Sequence, residues 1–156
     1  QLDFNALQIH KVNFNLSNLL KTSIADLDGG DRVRILGDSP IDLNSDMDII
    51  RVIANNLIGN ALKYSPKHSL IDVQPKYLTH NGVAGVELSV SNGLADIDDF
   101  DPAQVFDKYY RGPSSSRISG SGLGLFLVKE LVYALHGEVK CSIDHDSVTF
   151  TIWIPA

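Results

Sequence analysis

The sequence has little of several features that define large protein classes. Cys141 is its only cysteine, which excludes an internal disulfide and favours a reducing compartment. The chain carries 13 Lys and Arg against 19 Asp and Glu, and this acidic balance argues against a nucleic-acid partner. No apolar run approaches the roughly 20 residues that a membrane-spanning helix needs. What remains is one compact globular domain of 156 residues, 44% of them hydrophobic.

The first eleven residues, QLDFNALQIHK, lack the basic start and apolar centre of a signal peptide. They also lack an initiating Met, so we expect a piece of a longer protein. Because they are polar with only scattered apolar positions, we interpret residues 1–11 as a linker or the tail of a preceding helical region, and residues 12–156 as the domain.

Apolar spacing predicts the elements of the first half of the chain. We predict a strand over residues 12–16 and a helix over 18–27, capped by Ser17. The inward stripe of that helix is predicted to be Leu19, Leu20, Ile24 and Leu27. The run Asp28-Gly29-Gly30-Asp31 predicts a turn, with strands following at 32–36 and 41–43.

In the second half, a strand is predicted at 70–73 and a hairpin turn at Asn81-Gly82, leading into a strand over 83–90. Residues 91–102 indicate a loop, followed by a short helix from Asp101-Pro102 to Phe106. A helix over about 122–136, ended by His136-Gly137, precedes strands at 138–143 and 147–154. Cys141 is predicted to be a small buried residue of the first of these two strands. Strands and helices without strict βαβ alternation indicate an α+β sandwich.

The most informative helix follows Asp46, a predicted N-cap, and ends before Pro66. Its apolar side chains fall on one arc: Ile50, Ile53, Ala54, Leu57, Ile58 and Ala61. Asn56, Asn60 and Lys63 share a neighbouring arc, with Tyr64 at its border. Amide oxygens suit a hard cation such as Mg²⁺, and a lysine suits a phosphate. The alternative is a solvated helix edge with no ligand.

Glycines at alternating positions precede the last helix, in Gly120-Ser121-Gly122-Leu123-Gly124-Leu125. Such a helix start exposes N–H groups that can bind phosphate. No Gly-Lys-Ser/Thr follows, which excludes a Walker loop. Residues 111–120 precede these glycines, have no periodicity and are rich in Ser and Gly, so we predict a mobile segment.

The order of these motifs resembles the catalytic and ATP-binding domain of sensor histidine kinases. The asparagine-rich helix is followed by a strand with a polar loop, then by VFDKYYRG and GSGLGLFLVKELV. The resemblance covers residues 46–156, and residues 12–43 fit the family's opening strand–helix–strand. That family belongs with the gyrase, heat-shock chaperone and mismatch-repair ATPases. The resemblance implies a Bergerat-type fold, a two-layer α/β sandwich whose mixed sheet is covered by helices on one face.

The resemblance also implies roles for individual residues. Asn60 would coordinate Mg²⁺, Asn56 would assist through the metal or its water, Lys63 would contact a phosphate, and Tyr64 would pack near adenine or ribose. Asn92 would accept from the adenine amine, and Arg111 would contact phosphate. The remaining predicted nucleotide-binding residues are Gly93, Gly120, Ser121, Gly122, Leu123 and Gly124.

The first glycine box departs from the family's Asp-x-Gly-x-Gly. Asn92 occupies the Asp position, and Leu94 and Asp96 stand where glycines are usual. The Asn92 oxygen can still accept a hydrogen bond. Leu94 is placed to fill space that the base needs, and Gly93 offers compensation by a shift of one residue. Whether the loop over residues 92–97 admits ATP is therefore left open.

These observations support two hypotheses. In the first, the chain is an ATP-binding protein histidine kinase module of a bacterial two-component system, using Mg-ATP to phosphorylate a histidine on a separate dimerisation domain. Its further partner would be a response regulator, and the full-length protein a homodimer with this part in the cytoplasm. In the second, it is a degenerate regulatory module with weak or no nucleotide binding. An anti-sigma-type serine kinase with the same sandwich is a weaker third interpretation.

No phosphoacceptor motif is present, so the fragment alone is not expected to autophosphorylate. Each histidine lies in a loop or at the end of an element, and all five are predicted to be surface residues: His10, His68, His80, His136 and His145.

Overall fold

The structure, a computed structural model, describes residues 7–37, 40–93, 102–107 and 123–156. In chain order its elements are β1 (Lys11–Asn15), α1 (Leu16–Ala25), a 3-10 helix (Gly30–Arg32), β2 (Val33–Ile35), β3 (Asp42–Asp46), α2 (Met47–Tyr64), β4 (Ile71–Tyr77), β5 (Gly85–Gly93), α3 (Gly124–Ala134), β6 (Glu138–Asp144) and β7 (Ser147–Pro155). Residues 94–101 of the predicted loop and the whole predicted mobile segment at 111–120 lie outside the described residues.

Five strands form a mixed sheet in the order β2-β4-β5-β7-β6. β2 pairs with β4 in parallel, and the other neighbours are antiparallel. β1 and β3 form a separate antiparallel pair. The strands of the central pair, β5 and β7, run side by side along their full lengths, from Gly85 opposite Pro155 to Gly93 opposite Ser147.

One face of this sheet packs against the helices. Along β5, Val86, Leu88 and Val90 are buried as predicted, while the alternate residues Glu87 and Ser89 are only half-buried. The helices contribute fully buried side chains to the same core: Leu20, Ile53, Leu57, Val128 and Val132. This confirms a two-layer sandwich with helices on one face. Within the described ranges, no helix is long and apolar enough to cross a membrane.

The first helix begins earlier than predicted. Its N-cap is Asn15, whose side-chain oxygen accepts from the Asn18 N–H at 3.0 Å, and not Ser17. Ser17 instead accepts from the Ile41 N–H. The earlier start places Leu16 in the core, whereas Ile24 and Leu27 are only half-buried. The linker assignment of residues 1–11 stays a prediction; Lys11 is already the first residue of β1.

α2 follows the sequence-based prediction closely. Asp46 caps it, accepting from the Ile49 N–H at 3.1 Å, and its last helical residue is Tyr64. The second Asp46 oxygen accepts from the His10 N–H at 3.0 Å, which ties the incoming chain to the helix. All six predicted inward residues of α2 are buried.

Two strands extend beyond their predicted ends. β4 runs past Pro75 to Tyr77, because β2 pairs only with residues 71–73 and Pro75 lies beyond that parallel ladder. β5 continues through Ser91, Asn92 and Gly93, predicted as loop. These three turn-forming residues are extended because each pairs with a residue of β7.

The region around α3 also differs from the prediction. Residues 102–106 form turns rather than a helix, and α3 covers Gly124–Ala134 rather than 122–136. His136, not Gly137, takes the left-handed conformation after the helix (φ 65°). Gly137 is needed for space, because a Cβ there would collide with the carbonyl oxygen of Trp153.

His80 is the exception among the predicted surface histidines. It is half-buried, its ring lies 5.2 Å from that of Trp153, and its Nε2 pairs with the Glu138 carboxylate. Cys141 is half-buried in β6, and burial raises the pKa of its thiol to about 12. A thiol with so high a pKa is unreactive at neutral pH.

Candidate functional site

The polar arc of α2 presents two amide oxygens one helical turn apart. The Asn56 Nδ2 donates to the Val52 carbonyl oxygen at 2.8 Å, which leaves its Oδ1 facing away from that bond. Asn60 is half-buried, and its side-chain amide makes no hydrogen bond within the part of the chain that the structure describes. None of the described residues donates to either side-chain oxygen.

The start of α3 lies against this arc. A Cβ at Gly124 would lie only 3.2 Å from the Asn56 Oδ1, so glycine permits the close approach of the two helices. Leu123 precedes the helix and supplies no side-chain cap, and no acidic residue lies in the first turn. The N–H groups at the positive end of α3 are thus next to the Asn56 oxygen, where they can bind an anion.

The C-terminal end of α2 carries a cation and an aromatic ring side by side. The Lys63 side chain is exposed, and its Nζ lies 5.8 Å from the centroid of the half-buried Tyr64 ring. This distance is within the range of a cation–π contact. Lys63 therefore has a local partner but remains accessible to a phosphate.

Asn92 is the most unusual polar group of the site. It is 3% exposed, and its Nδ2 donates to the Gly93 carbonyl oxygen at 2.7 Å. Since that bond fixes which way the amide faces, the Oδ1 points elsewhere, and no described residue donates to it. An unpaired buried acceptor costs about 1–3 kcal/mol. Folding alone does not explain such a group, whereas an N–H donor on a ligand would satisfy it.

Gly93 joins the end of β5 to the end of α2. A Cβ at this position would lie 3.9 Å from both the Pro66 Cδ and the Asp146 carbonyl oxygen, which is ordinary contact. No described atom therefore requires a glycine here. The proximity of Pro66 shows that Asn92 and the Lys63–Tyr64 end of α2 border one region.

Only some of the predicted site residues lie in the described part of the chain, so only their positions relative to one another are known. The structure brings together Asn56 and Gly124, and it places Pro66, two residues after Tyr64, next to Gly93. The other predicted residues, Arg111, Gly120, Ser121 and Gly122, lie outside the described residues, as do Leu94 and Asp96.

Two residues were given no individual role by sequence reasoning. Phe106, the second residue of the VFDKYYRG motif, lies in the core, where its ring packs edge-on against that of Phe150 with the centroids 6.0 Å apart. Arg32 donates to four oxygens at the end of α2 and in the loop after it. Its only sequence signal was its position directly after the glycine turn.

The donor set of the site fits Mg²⁺ bound together with phosphates. Across the described ranges, no group of three or more His, Cys, Asp or Glu is placed to hold a metal ion. The oxygens at this site come from amides, and Mg²⁺ commonly takes few protein ligands while substrate phosphates and waters fill the rest. The amide oxygens would therefore suit an ion that arrives together with phosphates.

Within the described residues, a mixed sheet covered on one face by α1, α2 and α3 defines the Bergerat-type class of α/β sandwich. The sequence identifies the family within that class. Residues 45–156 match the family described as histidine kinase-, DNA gyrase B- and HSP90-like ATPase. The chain belongs to this family.

Individual relatives agree with this assignment. The chain is 34% identical over 131 residues to the sensor histidine kinase CusS of Escherichia coli K12, a match that covers 83% of the chain and 26% of CusS. The chain spans about a quarter of the length of the curated relatives that it matches.

Solved structures share the fold. The catalytic domain of histidine kinase ThkA superimposes with a TM-score of 0.72 at 17% identity, over 94% of this chain and 95% of that one. Full-length ShkA in complex with AMPPNP gives a TM-score of 0.71 at 21% identity, over 96% of this chain and 32% of ShkA.

Proposed function

We propose that the chain is the ATP-binding catalytic domain of a sensor histidine kinase, which binds Mg-ATP and donates the γ-phosphate to a histidine on a separate dimerisation domain. The observation that carries the proposal is the buried Asn92 Oδ1, which has no donor among the described residues and lies at the strand end beside α2. Membership in an ATPase family and likeness to sensor kinases support it.

Asn92 is suited to recognise adenine. The N6 amine of adenine is a donor, and the free Oδ1 of Asn92 is an acceptor. Because the Nδ2 is held by the Gly93 carbonyl oxygen, the amide cannot turn over without losing that bond. A purine with an oxygen in place of the amine would set acceptor against acceptor. The site should therefore select adenine over hypoxanthine and guanine.

The other end of the site is suited to phosphates. Asn60 is proposed as a ligand of the ion that accompanies the nucleotide, with Asn56 assisting directly or through water. Bound Mg²⁺ would neutralise phosphate charge during transfer. Lys63 and the N–H groups at the start of α3 would contact phosphate oxygens, and Tyr64 would pack near the base or ribose. By family likeness, Arg111, Gly120, Ser121 and Gly122 would complete the phosphate contacts.

The partners follow from the same proposal. The γ-phosphate acceptor would be a histidine on the dimerisation domain of the same protein, and a response regulator would take the phosphate next. The full-length protein would be a homodimer, with this domain in the cytoplasm. The chain's own part in the reaction is to position the nucleotide and hold its charge.

A second candidate function is a regulatory module that binds nucleotide weakly or not at all. It is favoured by one observation, the presence of Leu94 and Asp96 where the family usually has glycines. On this alternative the domain would still bind the dimerisation domain but would transfer no phosphate.

Calorimetric titration with Mg-AMPPNP tests the metal end of the site. Asn60→Ala should weaken binding about tenfold or more, since one charge-assisted contact is removed. Asn55→Ala is the matched control, because Asn55 is an exposed neighbour on the same helix and has no proposed role. Equal affinity in both variants would remove Asn60 from the site.

Transfer of labelled γ-phosphate separates the two functions. The unmodified chain should phosphorylate a separately supplied helical hairpin from its parent protein. The rate should be low, because the two parts are not tethered and so lack the high local concentration that a tether supplies. Such transfer would end the regulatory alternative. Binding of Mg-ATP and of the hairpin without any transfer would instead favour that alternative over the kinase.

A further inference from the structure

The turn between α1 and β2 places Arg32 against the C-terminal end of α2. Gly29 adopts a left-handed conformation (φ 86°), and a Cβ at this position would lie 3.5 Å from the Leu62 side chain of α2. Gly30 packs so closely on the end of α1 that a Cβ would collide with the Ile24 carbonyl oxygen. These two glycines let the chain turn sharply, and Arg32 follows at the end of the 3-10 helix.

The Arg32 guanidinium contacts the end of α2 and the loop after it. Its Nη2 donates to the Leu62 carbonyl oxygen at 2.8 Å, and its Nη1 donates to the Pro66 carbonyl oxygen at 3.0 Å. Nη1 also donates to the Ser69 carbonyl oxygen at 3.1 Å and to the Ser65 Oγ at 3.2 Å. The last carbonyls of a helix have no partner within it and carry partial negative charge, so a cation stabilises this end.

The segment that Arg32 holds, residues 62–69, carries part of the proposed site. Lys63 and Tyr64 lie within it, and Pro66 contacts the position of Gly93 beside Asn92. We propose that Arg32 is a positioning residue for nucleotide binding, which fixes this segment so that Lys63 and Tyr64 keep their place relative to Asn92. The inference rests on the proposed function and adds to it a residue that touches no ligand.

Lysine cannot replace arginine in this position. A guanidinium offers donors in a fixed planar fork, whereas an ammonium is a single point with three donors. Arg32→Lys keeps the charge but cannot reach four acceptors spread from Leu62 to Ser69. Arg34→Lys is a matched control, because Arg34 lies two residues away, is exposed, and pairs with Asp72 on the sheet.

Hydrogen exchange of the unliganded chain tests whether Arg32 holds the segment. The Ser65 N–H donates to the Ala61 carbonyl oxygen, and the Ser69 N–H to that of Pro66. In Arg32→Lys, both amides should exchange about tenfold faster, since hydrogen bonds to a charged group are lost nearby. Amides of β5 and β7 should be unchanged, and so should every amide in Arg34→Lys. Unchanged exchange at Ser65 and Ser69 would overturn the inference.

A double-mutant cycle tests whether the segment matters to the ligand. Affinity for Mg-AMPPNP is measured for the parent, Arg32→Lys, Lys63→Ala and the double variant. If Arg32 acts through Lys63, Arg32→Lys should cost about tenfold in the parent but less than about threefold without Lys63. A role in general stability would not produce this coupling.

No loss in either background would overturn the positioning role, and equal losses in both would overturn the positioning of Lys63 by Arg32. Absence of binding by the parent itself would overturn the proposed function, and this role with it. The exchange result would then still show whether Arg32 holds the segment, so the two failures are distinguishable.

Discussion

The two ends of the central strand pair each bury a polar side chain, and they treat it differently. At one end, Trp153 is 8% exposed and its indole N–H donates to the Leu78 carbonyl oxygen at 2.8 Å. At the other end, Asn92 is 3% exposed and its Oδ1 has no donor among the described residues. Both side chains are buried in the same sheet, so the extent of burial does not explain why one is hydrogen-bonded and the other is not. We interpret the Trp153 end as serving stability and, on the proposed function, the Asn92 end as serving a ligand.

The surroundings of Trp153 support a structural role. A Cβ at Gly85 would lie 2.5 Å from two indole carbons, so the ring is packed directly on the backbone of β5. The His80 ring lies 5.2 Å from the indole ring, and its Nε2 pairs with the Glu138 carboxylate. The indole N–H of Trp153 is therefore satisfied by a backbone carbonyl oxygen, and its ring is packed by protein atoms.

The largest expected effect is on stability, at the Trp153 end. Trp153→Ala should lower the free energy of unfolding by about 3–5 kcal/mol, because a buried aromatic ring is lost and a cavity is left. Urea denaturation measures the loss. Under conditions where the variant is still folded, its affinity for Mg-AMPPNP should match that of the parent. A large loss of affinity would contradict the interpretation that the Trp153 end serves stability only.

The next effect is on binding, at the Asn92 end. Asn92→Ala should weaken Mg-AMPPNP binding about 10- to 100-fold, as expected for a buried hydrogen bond to a ligand. Its free energy of unfolding should change by less than about 1 kcal/mol, because the lost Gly93 bond is offset by removal of an unpaired acceptor. Calorimetry and urea denaturation measure the two quantities. A destabilised variant with unchanged affinity would make Asn92 structural.

Asp46 provides a third buried polar group, satisfied internally like Trp153. Burial tends to raise the pKa of its carboxyl, but hydrogen bonds from the backbone N–H groups of His10, Ile49 and Asp48 outweigh burial and lower the pKa. A carboxyl with a lowered folded-state pKa adds stability above its unfolded pKa of about 3.9. That stability is lost as the pH falls through the folded-state pKa.

The expected result for Asp46 is therefore a pH-dependent loss. Asp46→Asn keeps a capping oxygen, so at acid pH it should approach the parent, while near neutral pH it should be less stable by about 1 kcal/mol. Urea denaturation across the acid range measures the difference. A difference that does not shrink at low pH would show that the charge of Asp46 contributes nothing.

The smallest effect is expected where α3 approaches α2. Gly124→Ala would place a Cβ 3.2 Å from the Asn56 Oδ1 and shift that oxygen by a few tenths of an ångström. Affinity for Mg-AMPPNP should fall about two- to fivefold, since only the position of one ligand group changes. Calorimetry in the Asn56→Ala background is the control. The same loss there would show that Gly124 does not act through Asn56.

Much of the fold was predictable because its signals are local. The Asn81-Gly82 hairpin has both residues at positive φ, 51° and 79°, as the dipeptide predicted. Asp46 caps α2, and the apolar arc of that helix is buried throughout. These features depend on a few neighbouring residues, so sequence is sufficient to predict them.

Features that depend on distant partners were not predictable. Ser91, Asn92 and Gly93 favour a loop by themselves, and only pairing with β7 keeps them extended. The contacts of Arg32 reach 30 to 37 residues along the chain. Residue spacing singled out Asn56, Asn60, Lys63 and the glycines before α3, whereas the roles of Asn92 and Arg111 came from the family's motifs. Nothing in the sequence indicated that Gly124 would lie against Asn56.

Discrimination between ATP and ITP by the parent and Asn92→Ala tests the central claim most directly. ITP replaces the adenine amine with an oxygen, so the Asn92 Oδ1 would face an acceptor instead of a donor. We predict that the parent binds Mg-ATP at least about tenfold more tightly than Mg-ITP, as for other sites that hydrogen-bond a ligand group. In Asn92→Ala the two affinities should converge to within about threefold, mainly through weaker ATP binding. A parent that binds both nucleotides equally, or a variant that keeps the full preference, would contradict the assignment of Asn92 to the base.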